Sequence, residues 1–272
     1  MRFKMLIGAP VSHYHLYCTG AYLKSLQSLT YNNYDICLVD NSPTDKFYNL
    51  LKEKRINVIR KDMKDKTIRE KIIDCRNVLR EKVLDEGYDY FFSVEQDILL
   101  PKNAVELLLK ENKKIITGIY MFLEENNGKR LLAPLLSRDW KQEEIDYILR
   151  NKEEIKKRLP SWYKSIAEEN FNFKNLLHPY SIKEIKESDK LLKVKSGGLG
   201  CALIHKDILE KIKFRYEKDK EGFDDAFFYK DALELGIQPY AHPKVLCHHM
   251  VEQRPWTLKL DKDNVYRIYK RK

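Results

Sequence analysis

Short apolar runs alternate with amphipathic stretches of helical spacing through the first 120 residues of the chain. The apolar runs are predicted to be strands, at residues 3–7, 35–39, 56–59, 88–94 and 115–120. Helices are predicted between them, at residues 19–29, 44–54 and 66–86, with a short one opened by Pro101. Regular alternation of strands and helices predicts an α/β fold with a mostly parallel central sheet and helices on both faces.

The rest of the chain changes character twice. The stretch after the fifth strand is dense in Lys, Glu and Asn, and it is predicted to be a helical insertion or lid. Strands return at residues 191–194, 201–205, 237–241 and 244–247, and Gly236 is predicted to end a helix over residues 224–235. The predicted parts are an α/β half, a helical insertion, a second half of the same domain and a basic tail, at residues 1–125, 126–190, 191–260 and 261–272.

The composition bounds the class of protein. A chain of 272 residues that is 43% hydrophobic is long enough for one large domain with a real core. It contains no apolar run of about 18 residues, which a transmembrane helix requires, and its first residues lack the features of a signal peptide. The five cysteines are scattered without a C-x-x-C pair, which favours free thiols and a cytoplasmic protein.

The formal net charge of +10 suits nucleic acid, an anionic membrane surface or an anionic substrate. Most basic residues are interleaved with acidic ones, so a nucleic-acid partner is not expected. A local basic cluster at residues 266–272 is either a peripheral contact with a membrane or an acceptor phosphate, or a frayed terminus.

The triplet Glu95-Gln96-Asp97 directly follows the most strand-like run in the chain. Two carboxylates at the carboxyl end of a parallel strand can hold a divalent cation against the phosphates of a ligand. Similar acidic triplets at residues 144–146, 187–189 and 261–263 have no strand before them. The triplet is therefore either a metal site or an ordinary pair of strand-end acids.

Several common ligand-binding motifs are absent from the sequence. It has no G-x-G-x-x-G, no G-x-x-x-x-G-K-[ST] and no G-x-S-x-G. The segment after the first strand also lacks the glycine-rich basic loop expected of a sugar nucleotidyltransferase. Without a glycine-rich phosphate loop, a diphosphate would require a metal ion and basic side chains, for which Arg76 is a candidate.

Four motifs in order resemble those of a known family. Residues 39–45 read V-D-N-S-P-T-D, Arg76-Asn77 lies on a predicted helix, Glu95-Gln96-Asp97 follows a strand, and Phe223-Asp224-Asp225 opens another helix. These are similar to the V-D-x-S-x-T-D, A-R-N, D-x-D and G-E-D elements of nucleotide-sugar glycosyltransferases of the GT-A fold, nearest to family 2. The resemblance covers about residues 1–120 and 191–250 and leaves the middle unmatched.

The resemblance implies a GT-A fold, a nucleoside-diphosphate sugar donor linked to UDP or GDP, and a glycan, lipid-linked or protein acceptor. It implies that Asp97 ligates Mn²⁺ or Mg²⁺, and that Glu95 contacts the metal or the ribose. Asp40 would contact the base or ribose. The remaining implied donor-site residues are Ala9, Pro10, Asn41, Arg76, Gln96, Gly197 and Gly198.

The family's other roles fall near the end of the chain. Asp225, or its neighbour Asp224, would be the general base that takes the proton of the acceptor hydroxyl. Acids at a helix start also simply favour the helix dipole, and the stereochemistry of transfer stays open. His248 would complete the metal site, with His249 the weaker candidate. His13 and His15 are expected to be structural or to lie at the rim of the donor pocket.

Overall fold

The computed structural model describes residues 3–126, 129–158, 177–220, 222–251 and 254–256. Along these ranges the strands are β1 (Met5–Val11), β2 (Tyr34–Asp40), β3 (Val58–Arg60), β4 (Tyr90–Val94), β5 (Ile98–Leu99), β6 (Ile115–Ile119), β7 (Met121–Asn126), β8 (Lys129–Pro134), β9 (Leu136–Arg138), β10 (His178–Pro179), β11 (Leu192–Lys193), β12 (Ser196–Gly197), β13 (Cys201–His205), β14 (Tyr240–Leu246), β15 (His248–Val251) and β16 (Arg254–Trp256). The helices are α1 (Leu16–Gln27), α2 (Lys46–Glu53), α3 (Ile68–Asp85), α4 (Ala104–Lys110), α5 (Gln142–Arg150), α6 (Lys152–Arg158), α7 (Ile182–Glu187), α8 (Lys206–Lys211) and α9 (Asp224–Glu234).

The central sheet contains eight strands in the order β11-β14-β6-β13-β4-β1-β2-β3. Strand β1 runs parallel to β2 and to β4, β2 runs parallel to β3, and β6 runs parallel to β14. Only β13 and β11 run antiparallel to their neighbours in this sheet. The predicted α/β class with a mostly parallel sheet is confirmed.

Helices cover both faces of this sheet. Nearly all residues of β1 are buried, and successive side chains of a strand point to opposite faces, so both faces must be covered. Leu6 packs into a core cluster with residues of α3, α8 and α9. Its neighbours Met5 and Ile7 pack into a second cluster with residues of α1, α2 and α4. All three side chains are fully buried, each contributing about 1.5–3 kcal/mol of hydrophobic stabilisation.

Local signals in the sequence account for two helix ends that position the site. A capping box starts α3, because the Thr67 hydroxyl accepts from the Glu70 amide while the Glu70 carboxylate accepts from the Thr67 amide at 2.7 Å. Gly236, with a φ of 73°, follows the end of α9 in the left-handed conformation that glycine adopts at little cost. The predicted end of this helix at Gly236 is confirmed.

The middle segment contains more strand than the predicted helical insertion. It opens with the hairpin β7–β8, which the sequence did not predict, and β9 joins β10 and β12 in a separate three-stranded sheet. Helices α5, α6 and α7 follow as expected. Residues 159–176 of the predicted insertion and the predicted basic tail at residues 261–272 lie outside the described residues.

The register of the sheet brings the ends of several strands to one edge. In the parallel strands β1 and β2, Val11 lies beside Asp40, and β4 runs in the same direction. Strand β13 is antiparallel to β4, so its first residue, Cys201, pairs with Val94 at the end of β4. The turns that follow β1, β2 and β4 therefore meet the segment that precedes β13.

Two further properties bear on the composition-based expectations. Among the described residues, no helix has both the length and the apolar character needed to cross a membrane. All five cysteines are free thiols and buried, as the absence of paired spacing suggested.

Candidate functional site

A cavity of about 480 Å³ opens at the edge of the sheet where β1, β2 and β4 end. Its walls come from the turns after these strands and from the first half of α3. The lining residues are Pro10, Val11, Ser12, Tyr14, His15, Asn41, Pro43, Ile68, Lys71, Ile72, Arg76, Glu95, Gln96 and Asp97. The topology thus gathers the end of β1, the turn after β2 and the acidic triplet around one space, as expected for a ligand site in a sheet of this kind.

The turn after β4 holds the acidic triplet at the cavity. The Glu95 amide donates to the Gly200 carbonyl at 3.1 Å, and the Ile98 amide donates to the Glu95 carbonyl at 2.9 Å. These bonds tie the triplet to the segment before β13 and close it into a tight turn. The side chains of Glu95 and Asp97 both line the cavity.

Gln96 occupies the same turn but directs its amide into the protein. Its Oε1 accepts from the Ser12 amide at 2.8 Å, and its Nε2 donates to Thr19 Oγ1 at 2.8 Å. Because the polar atoms of this buried side chain already have partners, Gln96 fixes the loop between β1 and α1. The sequence had assigned this residue to the donor pocket.

Asp40 and Ala9, which the sequence also assigned to the donor pocket, lie behind its wall. Asp40 is fully buried, and its Oδ1 accepts from the Ser42 amide at 2.9 Å and from the Ser42 hydroxyl. The Ala9 side chain packs into the core. Their neighbours Asn41 and Pro10 line the cavity in their place.

Arg76 lies at the centre of a buried charge cluster that bridges α3, β4 and α9. Its Nε lies 2.7 Å from Asp224 Oδ2, its Nη2 donates to Glu95 Oε1 at 2.9 Å, and its Nη1 donates to Ser93 Oγ at 2.7 Å. The guanidinium therefore binds protein oxygens in several directions. A diphosphate would have to share this cation with Glu95 and Asp224.

The cluster holds more acidic than basic side chains, and the pKa values of two of its carboxyl groups are raised. Burial raises the pKa of Glu95 above its usual value, although the Arg76 charge opposes the shift. Burial, with the carboxylates of Asp224 and Glu95, raises the pKa of Asp225 to about 7. Asp225, at the first turn of α9, is only partly buried. It thus combines access to solvent with a proton affinity suited to proton transfer near neutral pH.

On the other side of the triplet, Asp97 lies between two histidines. Its Oδ2 is 3.2 Å from His249 Nε2 and 3.9 Å from His15 Nδ1. Burial alone would raise the pKa of Asp97, but the hydrogen bond and charge of His249, with the charge of His15, hold it below its usual value. Burial alone would lower the pKa of His249, and the Asp97 carboxylate instead raises it above its ordinary value.

His249 is the histidine that contacts Asp97. The sequence had favoured its neighbour His248 for this position. Strand β15 pairs antiparallel with β5, so that His249 lies opposite Ile98 and His248 opposite Leu99. Neighbouring side chains on a strand point to opposite faces. The register therefore turns His249 toward Asp97 and His248 away from the face that carries this contact.

Gly197 and Gly198 form a buried segment beside the cluster, and neither is among the residues that line the cavity. A Cβ at Gly198 would lie 1.7 Å from the Tyr120 hydroxyl oxygen, and that hydroxyl accepts from the Gly200 amide at 3.1 Å. Glycine is required here because the Tyr120 side chain fills the space that a side chain would need. The segment is built for close packing next to α9, where the predicted general base lies.

Tyr14 and Lys71 line the cavity and were not selected from the sequence as functional, whereas His15 was expected to be structural or at the rim and His249 was the weaker metal-ligand candidate. Tyr14 is 74% exposed, and Lys71 is on α3, five positions before Arg76. Lys71 could have been found from its position on the helix that carries Arg76. The register of β15 on β5, which selects His249, has no local signal in the sequence.

The side chains that would hold a divalent cation carry suitable ligand atoms. Carboxylate oxygens and imidazole nitrogens from Asp97, Glu95 and His249 are ordinary ligands of such ions. His249 Nδ1 lies 2.6 Å from the Met121 carbonyl oxygen. Because a carbonyl oxygen can only accept a hydrogen bond, Nδ1 is the donor. In the part of the chain that the structure describes, no three His, Cys, Asp or Glu side chains already stand as a preformed metal cage.

Comparisons with known proteins add little to this description. No protein-family model matches the chain, and no curated protein matches it. Among solved structures it is similar to one described as A197 from STIV, at 12% identity and a TM-score of 0.44, over 99% of this chain and 95% of that one. A likeness of this degree supports no conclusion about the chain.

Proposed function

We propose that this chain is a metal-dependent glycosyltransferase with a GT-A fold, which moves a sugar from a UDP- or GDP-linked donor to an acceptor hydroxyl. The observation that carries the proposal is the placement of Asp97 and Glu95 between two groups of residues. His249 lies on one side, and Arg76 with the paired acids at the start of α9 lies on the other. In this proposal the metal ion would lie on the His249 side of the triplet and the general base on the Arg76 side.

The cavity offers separate places for the parts of a nucleotide donor. Exposed apolar side chains of Tyr14 and Ile68 stand at its wall, where they can pack against a base. Lys71 lines the same space, and among the residues that the structure describes its ammonium group forms no ion pair. In this arrangement Lys71, and not Arg76, is the cation free to bind a diphosphate.

Asp97 and His249 would hold the divalent cation, with Glu95 beside them. A bound cation supplies positive charge that stabilises the departing nucleoside diphosphate. The Nδ1–H of His249 donates to the Met121 carbonyl, which fixes the ring so that Nε2 faces Asp97. Metal-binding histidines commonly make this kind of hydrogen bond from their other ring nitrogen.

Asp225 would act as the general base. Its carboxylate takes the proton of the acceptor hydroxyl while that oxygen forms a bond to the anomeric carbon. The bond from the anomeric carbon to the diphosphate oxygen breaks, and its electron pair leaves with the nucleoside diphosphate. Asp224 is held by Arg76, so it positions the start of α9 while Asp225 stays available to the acceptor.

The acceptor is proposed to be a glycan, a lipid-linked sugar or a protein. The helices of the middle segment and the small β9–β10–β12 sheet are the parts of the chain that would select it. Strand β12 lies beside Gly198 and α9, so this sheet borders the proposed base.

Donor turnover tests the proposal. The full chain is incubated with Mn²⁺ and a panel of UDP- and GDP-sugars, and release of UDP or GDP is measured with and without oligosaccharide acceptors. We expect release with at least one donor and none from Asp225→Asn, whereas the exposed Asp219→Asn serves as a matched control. Release of pyrophosphate from a nucleoside triphosphate and a sugar 1-phosphate would instead mark a sugar nucleotidyltransferase and overturn the proposal.

A further inference from the structure

His15 lines the cavity, and one of its ring nitrogens, Nδ1, has no hydrogen-bond partner. The Nδ1 atom is buried, although the side chain as a whole is 41% exposed. Buried polar atoms in folded proteins almost always have a partner, and an ion is one of the common explanations for an exception. The unpartnered nitrogen therefore points to a ligand beside the ring.

The backbone around His15 is held firmly in place. Its carbonyl accepts from Thr19 Oγ1 at 3.0 Å, from Cys18 Sγ at 3.2 Å and from Gln96 Nε2 at 3.4 Å. Gln96 in turn belongs to the triplet that carries Asp97. The position of the His15 ring is thus coupled to the turn after β4.

The nitrogen faces the same carboxylate oxygen that His249 contacts. Asp97 Oδ2 is 3.9 Å from His15 Nδ1 and 3.2 Å from His249 Nε2. Metal–ligand bonds of about 2.1 Å at ordinary bond angles place neighbouring donor atoms roughly 3.0–3.4 Å apart. The Asp97–His249 distance already lies in this range, and His15 has to approach by only about half an ångström.

We propose that His15 binds the divalent cation directly through Nδ1, together with Asp97 and His249, and that this ligand set selects a transition-metal ion such as Mn²⁺ over Mg²⁺. The inference rests on the proposed function for the role of the ion, and it adds a ligand from the loop after β1. Two imidazole nitrogens suit transition-metal ions, whereas Mg²⁺ prefers oxygen ligands and water.

The ligand set also predicts that the ion binds before the nucleotide. Once His15 has moved closer to Asp97, three protein donors would hold the ion without help from phosphate oxygens. The alternative is that the His15 nitrogen meets a phosphate or a water molecule, in which case its loss would leave metal affinity unchanged.

The test measures Mn²⁺ binding to the full chain in the absence of nucleotide, by the loss of the electron paramagnetic resonance signal of free Mn²⁺. His15→Ala should weaken Mn²⁺ binding at least about tenfold, since even residues that only orient a metal ligand cost about 10- to 100-fold. His13→Ala is the matched control, because His13 lies two residues away and does not line the cavity. Its Mn²⁺ affinity should equal that of the wild type.

His15→Asn provides a second variant that replaces the nitrogen with an amide oxygen. It should lower the ratio of Mn²⁺ to Mg²⁺ affinity, measured by competition, while circular dichroism verifies that the variant is folded. Equal Mn²⁺ affinity in His15→Ala and His13→Ala would overturn the inference, and the proposed function would stand if nucleotide binding still required the metal. Metal binding through His15 without any binding of UDP or GDP would instead overturn the proposed function alone.

Discussion

Arg76 and Asp224 form an ion pair in the interior of the protein, with Arg76 Nε 2.7 Å from Asp224 Oδ2 and both side chains at most 3% exposed. The same guanidinium binds Glu95 at 2.9 Å. One buried cation therefore joins the acidic triplet after β4 to the helix that carries the proposed general base. This connection explains why the arginine of the sequence motif lies in the site without being free to bind a phosphate.

Arg76→Met should destabilise the protein by about 3–5 kcal/mol, because it leaves Asp224 as a buried charge without a partner and also removes the cation that pairs with the partly exposed Glu95. Chemical denaturation measures the change in the free energy of unfolding. Arg69→Met on the same helix is the control, with an expected loss of about 1 kcal/mol or less because the hydrogen bond that Arg69 donates to the Lys220 carbonyl is exposed.

A double-mutant cycle isolates the pair itself. Arg76→Met combined with Asp224→Asn should cost less than the sum of the two single changes, since the second change removes one of the unpaired charges. Additive losses would show that the two side chains are not coupled.

The pH dependence of transfer should follow the ionisation of Asp225, whose pKa is raised to about 7. A protonated carboxyl cannot accept the proton of the acceptor hydroxyl, so kcat/KM should fall about tenfold per pH unit below this pKa and level off above it. The profile is measured between pH 5 and pH 9, where the plateau lies on the alkaline side. A rate that stays constant down to pH 5 would assign the proton transfer to another group.

His249→Ala should remove the dependence of nucleotide binding on Mn²⁺, because His249 Nε2 contacts Asp97 at 3.2 Å. His248→Ala is a closely matched control, since the two residues are neighbours on β15 but point to opposite faces. Calorimetric titration of UDP and GDP with each variant measures the effect. Loss of metal dependence in His248→Ala alone would restore the assignment that the sequence favoured.

Lys71→Met should weaken the binding of UDP or GDP roughly tenfold or more, because hydrogen bonds to charged groups contribute about 1.5–3 kcal/mol. The effect should shrink for UMP and GMP and disappear for the nucleosides, which carry no phosphate. Lys82→Met on the same helix is the control, since Lys82 pairs with Glu86 and does not line the cavity. An equal loss for nucleosides and diphosphates would exclude a phosphate contact by Lys71.

Much of the fold could be predicted from local patterns in the sequence. Asp40 ends β2 and Glu95 follows β4. Both strands are mostly apolar, as buried parallel strands are. The end of α9 at Gly236 follows from the backbone freedom of glycine. These elements depend on near neighbours, so their signals are present in short windows of sequence.

The parts of the site that depend on contacts between distant segments could not be predicted. Nothing near Arg76 in the sequence indicates that its Nε will form an ion pair with Asp224. Nothing near His249 in the sequence fixes the register of β15 on β5. The hairpin β7–β8 was also missed, because polar residues interrupt the apolar pattern at residues 124–130. Tertiary pairing determined each of these features.

The central claim is that Asp97 holds a divalent cation that a nucleoside diphosphate requires. Calorimetric titration of UDP and GDP into the full chain, with and without Mn²⁺, tests it most directly. We expect tight binding only with Mn²⁺ in the wild type and in Asp189→Ala, an exposed member of another acidic triplet, and loss of the Mn²⁺ effect in Asp97→Ala. Equal binding with and without Mn²⁺, or an unchanged Mn²⁺ effect in Asp97→Ala, would contradict it.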